Sequence, residues 1–172
     1  MNTLDRLFLS YSSDTLKRLS SRIADCLSRL TREQVWTRSG DHDNSIGNLV
    51  LHLCGNVEQW IGTGIGGHAD TRNRDAEFAA REGYQPGELA AKLDATISGA
   101  TAIVLALNSA SLLETRQIQN YDVTVLEAIY HVVEHFGEHT GQILFATKLL
   151  TGQDLGYYKH LTHAAPHGEK LP

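Results

Sequence analysis

Three histidines recur at four-residue intervals in the segment Ile129-Tyr-His131-Val-Val-Glu-His135-Phe-Gly-Glu-His139-Thr-Gly-Gln-Ile143. On a helix advancing about 100° per residue, each lies about 40° round from the last, so the three rings leave one side. Side chains four apart are about 5–6 Å from each other at Cβ. Two imidazoles at that spacing can converge on one divalent ion through bonds of about 2.0–2.1 Å. The whole ladder rises roughly 12 Å, too far for one ion to engage all three easily. A chelating pair with a neighbour is the arrangement the spacing favours, and a further ligand must come from another helix. The ladder sits among Ile129, Val132, Val133, Phe136, Ile143 and Leu144. Imidazoles buried there without partners would be costly, which argues against a merely packed histidine face.

A second polar stripe stands upstream. Asn48, His52 and Asn56 follow the same i, i+4, i+8 spacing, with Gln59 close to the line. Alone it reads as the solvated edge of a helix. Facing the histidine ladder, it lets His52 supply the missing ligand. Three neutral imidazoles leave a coordination position for water or substrate, which is the pattern of a catalytic site and not of a closed structural one.

Other motifs carry less. H-x-x-E-H fits twice in overlap, at His131–His135 and His135–His139, so neither Glu134 nor Glu138 is singled out as a general base. Gly62–Gly67 matches G-x-G-x-x-G, but a helical pattern precedes it where a dinucleotide fingerprint needs a strand. His160, His163 and His167 read as solvated, and Cys26 and Cys54 as two reduced core thiols.

Four helical stretches must position these residues. The first spans roughly Leu4 to Leu30, with a break or kink at Asp14. The second starts at an N-cap, Asn44 or Ser45, and reaches about Ile65. The third opens at Pro86 and continues through Leu107. The fourth follows a Thr124–Glu127 capping box and stops at Gly152. The segment His68 to Gln85 reads as a long loop with at most one short turn, and RQIQNYD as extended or turn-like. The expected fold is all-α, a four-helix bundle with a long crossover after its second helix. One domain is expected over 1–152, followed by a partly disordered tail over 153–172. Gly137 and Gly141, one turn apart off the histidine face, suggest close approach of a partner helix at a subunit interface.

Composition narrows the function. The chain has 172 residues, which suits one domain, and a net charge of −5 with pI near 6.0, which disfavours nucleic acid as a partner. No apolar run reaches the roughly 18–20 residues of a membrane span, and no signal peptide is evident, so the expected setting is cytoplasmic.

SIGNLVLHLCGNVEQW (Ser45 to Trp60), followed about eighty residues later by HFGEHTGQI (His135 to Ile143), resembles the DinB-like (YfiT-like) metalloenzyme superfamily. RNRDAEF (Arg72 to Phe78) and TKLLTGQDLGYY (Thr147 to Tyr158) resemble its uncharacterised branch of small bacterial proteins. The resemblance covers most of the chain. It implies a four-helix bundle and one divalent metal, zinc or nickel, held by His52, His135 and His139. His131 would then stand behind the ligands or face substrate. It also implies a small-molecule substrate and chemistry like that of thiol transferases, with a low-molecular-weight thiol as partner. The further candidates for orienting groups are Glu138, Gln142, Asn48 and Asn56. The first reading is thus a metal-dependent thiol transferase. A hydrolase on the same site, or a non-catalytic metal-stabilised protein of stress-related binding, are the alternatives, and a homodimer is expected by base rate.

Overall fold

The computed structural model describes residues 3–159. The chain is mostly helical, with α1 (Thr3–Ser28), α2 (Arg32–Trp36), α3 (Ile46–Val57), α4 (Arg74–Ala79), α5 (Pro86–Ala106) and α6 (Val125–Thr151). The expected break at Asp14 is absent. Leu9, Ser12, Ser13, Leu16, Ser20, Ile23 and Leu27 bury one unbroken stripe of α1, and Asp14 lies on its exposed side. α3 continues directly into a π-helical turn, Glu58–Thr63, of the kind that often marks a functional site.

Local chemistry fixes the helix ends. Ser45 caps α3 and Thr124 caps α6, each accepting from the N3 backbone N–H while the N3 side chain, Asn48 or Glu127, accepts from the cap's own N–H. Pro86 opens α5, and Gly152, at φ 66°, closes α6.

α1 and α3 each pack against both α5 and α6. Their apolar stripes meet in one core, where Leu16, Ile23, Leu53, Leu93, Ile129 and Phe136 are all at 1% exposure or less. α5 is long and apolar enough by length and composition alone to cross a bilayer, although it contains no continuous apolar run of that length. Its Ala, Leu, Ile and Val residues keep mean hydropathy high although near-neutral Gly, Ser and Thr and a few charges interrupt the run, and Leu89, Leu93, Ile97 and Val104 are buried in the core.

Two segments take a more definite form than the sequence expectation gave them, RQIQNYD being extended and turned as expected. RQIQNYD lies in an antiparallel hairpin, β1 (Thr115–Ile118) with β2 (Tyr121–Thr124), turned at Gln119 and Asn120, both at positive φ. Ile118 plugs this hairpin against Gly64, where a Cβ would collide with its side chain. The loop after the second helical stretch contains α4, capped by Asn73. At the C-terminal end, Leu155 is buried and Tyr157 Oη donates to Asp25 at 2.6 Å, so Tyr157 ties the segment after α6 to α1. His160, His163 and His167 lie outside the described residues. Cys26 and Cys54 are free and buried.

Candidate metal centre

α3 and α6 pack together and bring the two polar stripes face to face. His52 is buried, and its Nε2 lies 3.2 Å from His135 Nε2. His139 Nε2 lies 3.0 Å from the same atom. One ligand atom from each residue falls within 4.8 Å of the other two. Two nitrogens bound to a tetrahedral ion at about 2.0–2.1 Å would stand about 3.3–3.4 Å apart, close to these separations. Hydrogen bonding alone serves the cluster poorly. His135 Nε2 has either one hydrogen or one lone pair, yet two ring nitrogens aim at it. The donor set fits a cation, and these three histidines can hold a metal ion.

The opposite ring nitrogens decide which atoms face inward. His52 Nδ1 lies 3.0 Å from Glu77 Oε2. Arg72 donates from Nε to Glu77 Oε1 at 2.9 Å and from Nη2 to Oε2 at 3.0 Å. Arg72 Nη2 also approaches His52 Nδ1 at 3.1 Å, and the carboxylate between them is the acceptor for both N–H groups. Burial alone would raise the Glu77 carboxyl, but hydrogen bonds from His52 and Arg72 hold it below its ordinary range. An ionised Glu77 fixes the Nδ1–H tautomer of His52 and leaves its Nε2 lone pair facing the cluster. His139 does the same through Gln142, whose Oε1 lies 2.8 Å from its Nδ1. His135 Nδ1 is buried with no partner among the described residues. Burial, followed by the neighbouring charges of His139 and His52, pushes His135 down to about 3. Burial likewise lowers His139 and His131. All three shifts favour the neutral imidazole, which is the form that binds metal.

The remaining candidates fall into distinct places. His131 does not join the cluster. Its ring stacks 5.7 Å from that of His135 and lies 4.1 Å from Trp60, which the π-helical turn carries. Glu138 is exposed, and its charge acts on His139 and His131 from a distance. Asn48 is fully buried and works on the backbone, donating to the carbonyls of Glu77 and Ala80 at 2.8 Å each. Asn56 is buried, its Oδ1 without a hydrogen-bond partner among the described residues.

Sequence reasoning missed Glu77 and Arg72 as partners of His52, and Phe78, whose ring lies 4.7 Å from the His52 ring. They sit in the charged, aperiodic stretch between the two helices that carry the histidines. The local signals were the RNRDAEF motif itself and, within it, Asn73 with Asp75 and Glu77 behind it, the mark of a short capped helix. Gln59 ties this stretch down, accepting from Arg72 Nη1 at 2.9 Å and donating to Asp70 at 2.8 Å.

A family model described as "Protein of unknown function (DUF1572)" matches residues 3–165. No curated protein matches the chain significantly. Among solved structures, a conserved protein from Enterococcus faecalis is similar at a TM-score of 0.70 and 17% identity, over 84% of this chain and 97% of that one. At that identity the likeness is one of fold.

Proposed function

The chain belongs to the family of proteins of unknown function DUF1572, and from that premise we propose that it is a metal-dependent enzyme of the DinB-like kind. In this reading α1, α3, α5 and α6 form a four-helix bundle, and His52, His135 and His139 hold one divalent ion. The observation that carries the reading is the convergence of three Nε2 atoms, two of them at 3.2 and 3.0 Å from the third. The motif resemblance at Ser45–Trp60 and His135–Ile143 supports a thiol transferase, with a low-molecular-weight thiol and an electrophilic small molecule as substrates. A bound divalent cation would supply positive charge that favours the deprotonated form of a thiol or water beside it.

The chain's own residues do the positioning. Glu77 and Gln142 orient two ligand rings, and Arg72 keeps Glu77 ionised. Phe78 covers one face of His52 and limits access of water to it. Trp60 and His131 wall the His135 side. Imidazole donors suit zinc, nickel, copper and iron alike, so ligand type alone does not choose the metal. The proposal includes a cytoplasmic homodimer. The side of α6 at Gly137 and Gly141, where nothing lies within 4 Å of an added Cβ, is open for a partner helix.

Elemental analysis of protein purified without an affinity tag tests the site. About one metal per chain is expected in the wild type and essentially none in His139→Ala. Absence of metal in the wild type would overturn the reading. Metal-loaded protein is then offered a thiol with monochlorobimane. Thiol conjugation supports the transferase, whereas hydrolysis of ester probes without thiol would replace it with a hydrolase.

A further inference from the structure

A groove of about 450 Å³ runs between the segment following α2 and the C-terminal half of α6. That volume is in the range of small-molecule sites. Its floor and walls include Ile46, Leu49, Phe145 and Leu149, together with Arg38 and Gln142. Phe145 and Leu149 are 65% and 70% exposed, so an apolar wall faces water. We infer that this groove binds the substrate of the proposed enzyme as an amphipathic small molecule with a carboxylate head. The head would sit on Arg38 and the apolar body on Ile46, Leu49, Phe145 and Leu149. The inference rests on the proposed metal site for its catalytic meaning, though not for binding itself.

Two observations place the groove beside the histidine cluster. Gln142 lines it and holds His139 through Nδ1. Arg38 lines it and donates from Nη2 to the carbonyl of Phe78 at 3.2 Å, and the Phe78 ring covers His52. A ligand lying in the groove is therefore one residue removed from two of the three histidines.

The charge of Arg38 sets the class of ligand. Among the described residues its hydrogen bonds run only from Nη2, to Phe78 and to Asn44 Oδ1 at 3.4 Å, both uncharged acceptors. Its Nε is buried with no hydrogen-bond partner among the described residues. Asp43 and His42 stand on the same rim, but no carboxylate is hydrogen-bonded to the guanidinium. A half-buried guanidinium with donors to spare, next to apolar surface, selects a planar anion joined to a hydrocarbon.

Isothermal titration of the metal-loaded protein with octanoate, octanol and acetate tests this. Octanoate is expected to saturate one site per chain. Octanol, lacking charge, and acetate, lacking the apolar body, should each bind at least about tenfold more weakly. Arg38→Gln should weaken octanoate by about tenfold or more and leave octanol unchanged. Leu149→Asp, at an exposed position that folding does not depend on, should weaken both octanoate and octanol. Equal binding of octanoate and octanol, or octanoate binding indifferent to both substitutions, would overturn the inference. So would light scattering showing that Leu149→Asp splits a dimer while octanoate fails to bind, since the groove would then be a subunit contact. His139→Ala separates the two readings. Octanoate binding that survives in this variant, with no metal in any form of the protein, retains the groove and removes the metal site. Stoichiometric metal in the wild type without octanoate binding does the reverse.

Discussion

The three clustered histidines differ in what holds the second ring nitrogen of each. Glu77, pinned by Arg72, gives His52 a charged acceptor, Gln142 gives His139 a neutral one, and His135 has none among the described residues. Partners of this kind tune metal affinity by about 10- to 100-fold. Glu77→Gln keeps the shape and removes the charge, so it should weaken metal binding by about that factor in competition with a chelating dye. Gln142→Ala, at an exposed position, should have the smaller effect. Equal affinity in wild type and Glu77→Gln would show that the carboxylate does not orient His52.

A pH dependence follows from His135. Its folded pKa, about 3, lies below the value near 6.5 of an unfolded histidine. The unfolded chain therefore binds more protons as pH falls, and folding stability decreases with it. Metal-free protein should be fully stable by this measure above about pH 6.5 and lose stability progressively as pH falls toward 3. Chemical denaturation at a series of pH values reads this directly. A midpoint that stays constant between pH 7 and pH 4.5 would show that His135 is not held neutral. His139, also lowered by burial, contributes in the same direction.

At the scale of elements, the site depends on α4 being docked on α3. Asn48 does the docking, with side-chain donations to the carbonyls of Glu77 in α4 and of Ala80 at its C-cap, and a capping contact to Ser45. Asn48→Ala would leave these buried groups unpaired and cost about 2–4 kcal/mol. Because Glu77 rides on α4, metal affinity should fall alongside stability, whereas a cap substitution remote from the site, Thr124→Ala, should cost about 1 kcal/mol and leave affinity unchanged. Thermal unfolding paired with dye competition on both variants separates the two effects. The ends of α3, α5 and α6 were legible because capping boxes, Pro86 and Gly152 act within a few residues. The extended, turned character of RQIQNYD was legible too, but the strand pairing and α4 were not. Their runs of four and six residues are too short for periodicity to show, and only Ile118 among the eight strand residues is buried.

At the scale of the whole molecule, the core does not pass through the histidine cluster. Residues such as Leu16, Ile23, Leu93 and Phe136 bury themselves whether or not an ion is present. Removal of metal should therefore lower stability without unfolding the chain. An ion present at a hundred times its dissociation constant adds about 2.7 kcal/mol, which for a chain of this length is roughly 5–10 °C in Tm. Scanning calorimetry with and without chelator should show a shift of that order, and complete unfolding on chelation would make the ion part of the core.

The sequence by itself determined the helices and their polar stripes, because those features are set by spacing along one helix. Which three histidines meet was implied by the motif resemblance, and the tertiary structure brings His52, His135 and His139 together. Only the tertiary structure chose between the two places open to His131, stacking it behind the cluster, and set Glu77 and Arg72 against His52. Those contacts join residues 20 to 25 positions apart through a short helix lying across α3. Periodicity reports which face a residue occupies, but not which loop comes to lie against that face. That depends on burial and hydrogen bonding across elements, which no local pattern encodes.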